Sequence, residues 1–320
     1  MDELDQRILN ELQRGGIQKS AALASILGAS QRTIHRRLRT MIDKEMIKVI
    51  AVLNPVSLAY RGWARIGIKV ARGALGRVSG ILIKNPSIHF VAYSFGGFDI
   101  IIGVYFNTVE KLTQFVNSEL TKDKDIVSSE TMLLSCPRKY YHFSWPPCTF
   151  KGTENLWNPY QETNARRCYT GDELDQRILK VLVEDGLTST RDLKLRLGIG
   201  ELTIRKRIRS MLDNEVYKLE VVPNTQLLES ERWATTGIVA NSPFLNRTME
   251  DIVKNPAVYL ASESLGRFNI IIATRFRNTN QLSQFIHREL QSMPGINSTE
   301  TFIHVRPLKY HNIIWPGFES

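Results

Sequence analysis

The chain consists of two copies of one long segment, related by a constant offset of 170 residues. The stretch DELDQRIL at positions 2–9 returns at 172–179, and the same offset relates Trp63 to Trp233 without a gap. Solenoid repeats run to roughly 20–50 residues, so this period is too long for a solenoid. The sequence therefore predicts the duplication of a whole folding unit, and any function must suit a unit that acts in pairs.

Each half changes character partway, from helical periodicity to alternating and continuous apolar runs that indicate strands. This change predicts an α+β protein with four small domains in alternating order. The predicted boundaries are a helix-turn-helix domain at 1–55, a ferredoxin-like domain at 56–147, a linker at 148–170, a second helix-turn-helix domain at 171–225 and a second ferredoxin-like domain at 226–320.

Composition narrows the class of protein. With 42% hydrophobic and 23% charged residues the chain resembles soluble globular proteins, and no apolar run is long enough to span a bilayer. The acidic N-terminus is unlike a secretory signal. The odd set Cys136, Cys148 and Cys168 lacks metal-site spacing, which predicts inert thiols in a reducing cytoplasm and no metal or cofactor. A net charge of +10 points weakly to a polyanion partner.

The first 50 residues show the pattern of three short helices. Apolar residues recur at helical spacing from Leu4 to Leu12, and an alanine-rich segment follows at about 19–27. The tripeptide Gly28-Ala29-Ser30 then supplies a glycine for a left-handed C-cap and a serine for the next N-cap. A three-residue turn containing glycine between two short helices is typical of the helix-turn-helix motif.

The third helix, predicted at 31–44, has one apolar and one basic face. A solvated charged face on an ordinary helix is an alternative interpretation, but the preceding turn and helices favour a major-groove helix that offers guanidinium groups to bases and phosphates. The candidate DNA contacts of the first copy are Ser30, Gln31, Arg32, Thr33, His35, Arg36 and Arg39.

The second copy carries a weaker version of this face. Leu202 replaces Arg32 and Glu201 replaces Gln31. Residues 1–50 have nine basic and six acidic residues for a net +3, whereas residues 171–220 have ten of each and no net charge. We therefore expect the first copy to bind DNA more strongly. The candidate contacts of the second copy are Thr203, Arg205, Lys206 and Arg209.

The remainder of each copy predicts the order βαββαβ, which is the ferredoxin-like arrangement of a four-stranded antiparallel sheet with both helices on one face. The last strand, at about 126–143, is expected to break at Cys136-Pro137. The open face of such a sheet is commonly covered by a second sheet, which the tandem copy can supply.

Two strands of each copy meet at a glycine turn, Gly96-Gly97 in the first and Gly266-Arg267 in the second. Glycine at this position suits a two-residue hairpin, which by itself explains the glycines. The carboxylate that follows, Asp99, suggests a second interpretation, in which it binds the ammonium group of an amino acid while exposed turn amides bind its carboxylate. The candidate effector residues are Gly96, Gly97, Asp99, Gly266, Arg267 and Asn269.

Together these motifs resemble the Lrp/AsnC, or feast–famine, transcriptional regulators. The resemblance rests on the opening Asp-x-x-Asp-x-x-Ile-Leu at 2–9, the Ser-x-x-Thr-Ile-x-x-Arg-Leu stretch at 30–38 and the Gly-x-Phe-Asp hairpin at 96–99, and it covers both halves apart from the linker. It implies binding of double-stranded DNA, pairing through the ferredoxin-like domains, assembly into oligomers, an amino acid or related effector near the hairpin, and a nucleoid-associated protein of the prokaryotic cytoplasm. Arg267 and Asn269 depart from the hairpin pattern.

One branch of this fold resembles siroheme decarboxylases, which gives an alternative function as such an enzyme or as a tetrapyrrole-binding protein. Their second strand carries a His-Asn-Tyr-x-Arg-like stretch, whereas residues 89–93 here keep the histidine without the polar and basic residues after it. Residues 259–263 of the second copy have no histidine. No arginine for acid side chains and no paired base is apparent, so a non-enzymatic protein is expected.

The linker is long enough, at about 3.3–3.6 Å per extended residue, for the two ferredoxin-like domains to pack on each other within one chain. This predicts a single-chain pseudo-dimer that places two helix-turn-helix units on successive half-sites of one operator. Such chains are expected to form homo-oligomers.

Overall fold

The computed structural model describes residues 2–15, 20–54, 60, 62–140, 169, 171–214, 216–224, 232–310 and 313–314. The predicted linker at 148–170 lies outside the described residues, except for Tyr169. The described residues form two compact units. The first, called the head unit, contains 2–54 and 169–224, and the second, called the barrel unit, contains 60–140 and 232–314.

The head unit contains two segments with the same order of three helices and a strand. The first segment comprises α1 (Glu3–Gly15), α2 (Ser20–Leu27), α3 (Gln31–Asp43) and β1 (Ile47–Leu53). The second comprises α6 (Glu173–Glu184), α7 (Thr190–Leu197), α8 (Glu201–Asp213) and β6 (Tyr217–Pro223). The three helices of each segment pack their apolar faces together, as the sequence periodicity predicts.

A two-stranded antiparallel ribbon joins these two segments. Its register is centred on the pair Ile50 and Glu220, which occupy the same position in the two copies. Val221 from β6 packs into the first helical core and Ala51 from β1 packs into the second. Each helical core is therefore completed by a strand residue from the other copy, which makes the head unit one folded body.

An ion pair between a partly exposed lysine and a buried glutamate lies on this ribbon. The carboxylate of Glu220 is fully buried and accepts from Lys218 Nζ at 2.7 Å. Burial lowers the pKa of Lys218, an effect that the nearby Glu220 carboxylate opposes. Such a charge is expensive to bury unless it is paired, so the ribbon is specified by charge as well as by apolar contacts.

The repeated Asp-x-x-Asp motif ties the first helix of each segment to the third. In the first copy the carboxylates of Asp2 and Asp5 both contact the Arg37 guanidinium. In the second copy Arg207 reaches Asp172 at 2.7 Å and Asp175 at 3.2 Å, by the same geometry. Arg37 is thereby held against α1.

The barrel unit contains two βαββαβ segments. The first comprises β2 (Gly62–Val70), α4 (Leu75–Lys84), β3 (Ile88–Phe95), β4 (Ile100–Phe106), α5 (Val109–Phe115, continued by a π-helical turn Val116–Leu120) and β5 (Ile126–Tyr140). The second comprises β7 (Arg232–Ala240), α9 (Leu245–Lys254), β8 (Val258–Leu265), β9 (Ile270–Phe276), α10 (Thr279–Gln284, continued by a π-helical turn Phe285–Leu290), β10 (Ile296–Tyr310) and the short β11 (Ile313–Ile314).

The strands close into a ring of eight in the order β3-β4-β2-β5-β8-β9-β7-β10, with β10 returning to β3 and β11 paired alongside β10. The two segments therefore join edge to edge through β5–β8 and β10–β3, which confirms that they pack on each other within one chain. One face of each sheet is apolar and packs on the two helices of its own segment. The opposite faces line the interior of the barrel.

The hairpin phenylalanines close one end of this barrel. The ring of Phe98 lies over Gly67, and that of Phe268 lies over Gly237 in the same way. Both rings also pack near Phe302, with ring centroids 4.9 Å and 6.2 Å away. The glycines in the middle of β2 and β7 are needed because a side chain there would occupy the space of these rings.

The expected break at Cys136-Pro137 is wrong. Strand β5 continues to Tyr140, and the pairing with β8 shifts register on either side of this dipeptide. A proline cannot donate to a strand ladder, and a β-bulge accommodates it without ending the strand. Pro307 occupies the corresponding bulge in β10.

In the described residues, no helix combines the length and the apolar character needed to cross a bilayer.

Gly67→Ala is expected to lower the free energy of unfolding by about 1–3 kcal/mol because it overpacks the barrel. The added Cβ would lie 2.3 Å from a ring carbon of Phe98. Urea denaturation measures the change. Gly80→Ala in α4 is the matched control, since nothing lies within 4 Å of its Cβ position, and it should raise helix stability by about 0.5–1 kcal/mol. Equal effects of the two changes would contradict the packing argument.

His304 in β10 gives a pH-dependent prediction. Its side chain is buried and bonds to Thr235 Oγ1 through Nε2 at 3.0 Å. Burial, aided by the charge of Arg65, lowers the pKa of His304 from 6.5 to about 3. Between these values the unfolded chain binds a proton that the native state excludes, so stability is complete above about pH 6.5 and falls as the pH drops toward 3.

His304→Gln should therefore lose less stability than the wild type between pH 7 and pH 5, as followed by the thermal midpoint. The exposed His35→Gln is the control. The same acid sensitivity in wild type and His304→Gln would show that His304 does not contribute.

Candidate DNA interface and effector site

Helix α3 begins at the turn that the sequence predicts. Gly28 adopts the left-handed conformation with φ of 65°, and the Ser30 hydroxyl accepts a hydrogen bond from Thr33 N at 3.1 Å. The hydroxyl groups of Ser30 and Thr33 also lie 2.8 Å apart. Of the predicted DNA contacts, these two therefore have a structural role at the N-cap of α3.

The basic face of α3 is exposed while its apolar face is buried. Ile34 and Met41 are at most 1% exposed, and Gln31, Arg32, His35, Arg36 and Arg39 are all exposed. Arg39 Nε lies 3.8 Å from the Asp43 carboxylate, but within the described residues no acidic side chain pairs with Arg32 or Arg36. Two guanidinium groups are thus available on one side of a capped helix that docks by its other side.

Helix α8 presents a different surface. Its N-cap, Gly200, has no side chain to cap the helix, and Arg205 pairs with Glu201 at 3.6 Å on the same face. Arg209 approaches Asp213 at 3.9 Å. Leu202, at the position of Arg32, is 69% exposed. Thr203 and Lys206 are also exposed. The segment has no net charge, and two of its acidic side chains lie beside the basic groups of α8.

The predicted effector residues of the first copy lie on the hairpin between β3 and β4. Gly96 has φ of 124°, which favours glycine, and a Cβ at Gly97 would lie 2.5 Å from Glu300 Oε1. The Asp99 carboxylate accepts a hydrogen bond from Val70 N at 2.9 Å. Asp99 therefore joins the hairpin to the end of β2, whether or not it also binds a ligand.

The equivalent hairpin of the second copy uses an amide and an arginine. Asn269 accepts from Ala240 N at 2.8 Å and donates to Ala240 O at 2.6 Å. Arg267 contacts the carboxylates of Glu130, at 2.9 Å, and Glu300. Hydrogen bonding to Glu130 raises the pKa of Arg267. Because Glu130 and Glu300 are themselves equivalent positions, one arginine neutralises an acid from each copy at this end of the barrel.

Toward the Gly62 end of β2, the barrel interior holds a group of residues that was not predicted from the sequence. Arg65, in the middle of β2, is 4% exposed, and its guanidinium carbon lies 4.3 Å from the Phe90 ring centroid and 5.1 Å from that of Trp63. The rings of His89 and Tyr105 stack with centroids 3.9 Å apart. Residues 89–93 contain no arginine, and the structure brings Arg65 from β2 near His89 instead.

A close approach to bare backbone brings these side chains together. A Cβ at Gly103 would lie 2.7 Å from His89 Nε2 and 3.0 Å from Arg65 Nη1. Arg65 and Gly103 are paired on neighbouring strands. The sequence signal that could have indicated this group is Arg65 itself, an arginine at an inward position of the mostly apolar strand β2. Among the described residues, no group of three or more His, Cys, Asp or Glu side chains is arranged to hold a metal ion.

Comparison with known families matches two parts of the chain. Residues 1–42 match the AsnC-type helix-turn-helix domain, and residues 239–314 match the Lrp/AsnC ligand binding domain. An uncharacterised HTH-type transcriptional regulator of Pyrococcus furiosus is 30% identical over 141 residues, covering 44% of this chain and 95% of the relative. The HTH-type transcriptional regulator FL11 of the same organism is 31% identical over 118 residues, covering 37% of this chain and 78% of FL11.

A likeness along nearly the whole chain is found with a solved structure of the siroheme decarboxylase NirDL, in complex with an iron-uroporphyrin III analogue. It has a TM-score of 0.62 and 11% identity, covering 98% of this chain and 94% of NirDL, and at this identity it shows the fold alone. The family models and the two regulators agree with the geometry of α3. The chain belongs to the Lrp/AsnC family of helix-turn-helix transcriptional regulators.

Proposed function

We propose that each chain acts as a single-chain pseudo-dimer, with two helix-turn-helix domains that bind successive half-sites of one operator. The observation that carries this is the ribbon between β1 and β6, which joins the two three-helix segments into one folded body. Separate subunits would have to associate before they could present two recognition helices. Here the same chain always supplies the second helix-turn-helix domain, which raises the effective concentration of that domain into the millimolar range.

The two heads contribute unequally in this proposal. Helix α3 presents Arg32 and Arg36 without acidic partners among the described residues, whereas Arg205 of α8 is paired with Glu201. An arginine that already has a carboxylate partner must exchange it for a phosphate or a guanine edge, so its net contribution is smaller. The first head supplies most of the affinity, and the second prefers a different half-site sequence, so the operator is an imperfect palindrome.

The regulator responds, in this proposal, to an amino acid or related metabolite that binds at the hairpins. It is not an enzyme, and it binds DNA in the nucleoid of a prokaryotic cytoplasm. Its pseudo-dimeric chains assemble into homo-oligomers. Support comes from the match of residues 239–314 to a ligand binding domain. The siroheme decarboxylase function rests on fold likeness to NirDL and on the buried Arg65 and His89 pair. An absorbance titration with sirohaem beside DNA binding separates the two, since a coloured complex with weak DNA affinity would favour the enzyme.

Arg32→Ala and Arg36→Ala should each weaken binding to duplex DNA by about 1–3 kcal/mol where a base is contacted bidentately, and by less, with a shallower salt dependence, where a phosphate is contacted. The duplex is selected from a random pool, and fluorescence anisotropy at several salt concentrations measures the change.

Arg205→Ala and Lys206→Ala are the matched controls and should produce smaller losses. Equal losses in the two heads would contradict the unequal contribution. A hydroxyl-radical footprint confined to one half-site per chain would contradict the two-headed mode.

Asp99→Asn separates the structural role of Asp99 from a role in effector binding. Asn269 shows that an amide at this position makes the same bond to the end of the neighbouring strand. The variant should therefore keep the wild-type thermal midpoint while losing the increase in midpoint that an amino-acid effector causes, because the carboxylate for the ammonium group is gone. A thermal-shift screen of the L-amino acids on both proteins checks this. An unchanged increase in the variant would exclude Asp99 as a ligand.

A further inference from the structure

Arg65 is a buried cation that has no counter-ion among the residues the structure describes. Its Nε and Nη1 atoms are inaccessible to solvent and have no hydrogen-bond acceptor among the described residues. Its neighbours are the rings of Phe90 and Trp63, and cation–π contacts supply roughly 0.5–2 kcal/mol. Burial of an unpaired charge costs several kcal/mol, which such contacts do not offset. An anion bound to Arg65 would offset this cost.

The surroundings of Arg65 add a second positive charge and a buried ring nitrogen. Burial lowers the pKa of His304, and the charge of Arg65 lowers it further. Burial raises the pKa of Tyr259, and the charges of Arg65 and Arg275 oppose that rise. His304 is bonded to Thr235 through Nε2, and its Nδ1 atom is buried with no partner among the described residues. Nδ1 and the guanidinium nitrogens are thus polar atoms in an otherwise aromatic environment.

The arrangement occurs once per chain because the second copy has lost it. At the positions equivalent to Arg65, His89 and Gly103 stand Thr235, Tyr259 and Ala273. The strand scaffold is the same in both copies, so the arginine is not needed to build a barrel of this kind. Thr235 instead bonds to His304 across the barrel.

Tyr105 connects this group to the surface. One face of its ring stacks on His89, and the same residue lines a cavity of about 330 Å³ beside α5. The other walls of this cavity include Tyr60, Asn107, Lys111 and Gln114. A small molecule in the cavity would contact Tyr105, and through its stacked ring the cavity adjoins His89.

We propose that this end of the barrel is a binding site for a carboxylate on an aromatic ring, with Arg65 as the anion anchor and Trp63, Phe90, His89 and Tyr105 around the ring. A guanidinium fork matches a carboxylate bidentately, and flat aromatic walls suit a flat ligand. The site is distinct from the hairpins and does not depend on DNA binding.

Benzoate and its neutral isostere benzamide test the proposal directly. Thermal-shift titration at constant ionic strength should show that sodium benzoate raises the midpoint of the wild type, that benzamide does not, and that Arg65→Met loses about tenfold to hundredfold in benzoate affinity, the value of a hydrogen bond to a charged group. Without ligand, Arg65→Met should be at least as stable as the wild type, because it removes an uncompensated buried charge. Arg72→Met, in an exposed turn after β2, is the control for loss of one arginine.

A benzoate shift that is absent, equal in Arg65→Met, or matched by benzamide would overturn the proposal, as would a response to inorganic phosphate instead of benzoate. If Arg65→Met does not fold, the wild type and Arg65→Lys decide the question. Trp63 lies 5.1 Å from the guanidinium, so benzoate but not benzamide should change tryptophan fluorescence in the wild type, and Arg65→Lys should shift that titration to higher concentration.

Discussion

Backbone hydrogen bonds between the two copies are the constraint on which both units depend. In the head unit they form the ribbon of β1 and β6, and in the barrel unit they form the β5–β8 and β10–β3 seams. Each four-stranded sheet alone would leave an exposed edge on either side, and closure into a ring removes every such edge. The duplication is therefore more than a tether, since each copy supplies the edge that the other needs.

Much of the fold follows from the periodicity of the sequence. The helix boundaries of the first copy differ from expectation by at most one or two residues, because Gly28 and Ser30 are strong local signals. The bulge at Pro137 could not be derived in the same way, since it depends on the pairing partner β8 and not on the strand itself. The closed ring likewise depends on contacts between residues about 120 to 220 positions apart, which local pattern does not encode.

The candidate sites also differ in whether local sequence pattern predicts them. The basic face of α3 is readable from spacing alone, because a helix presents its residues at a fixed angular interval. The roles of Asp99 and Phe98 in fastening the hairpin to β2 were not readable, since Val70 and Gly67 are distant in sequence. Arg65 was missed for a related reason. Its environment is made by residues from β3, β4 and β10, so only the assembled barrel shows that a charge is buried there.

Three of the substitutions between the copies fall at candidate binding positions. Arg32 becomes Leu202 on the recognition helix, Gly97 becomes Arg267 on the hairpin, and Arg65 becomes Thr235 inside the barrel. The contacts that join α1 to α3 are by contrast the same in both copies. The two copies therefore share the contacts that join their helices and differ at these three candidate positions.

The register of the head ribbon also determines which strands can pair with which. Ile50 and Glu220 face each other at the centre of an antiparallel pair, on the local two-fold axis. Two β6 strands from different chains, paired in this register, would place two Glu220 carboxylates opposite each other, with only the Lys218 of each strand to offset their repulsion. One β1 and one β6 instead place a carboxylate opposite an isoleucine. Charge repulsion therefore disfavours an exchange between chains that pairs β6 with β6. It favours the pair of β1 with β6, which every chain already contains.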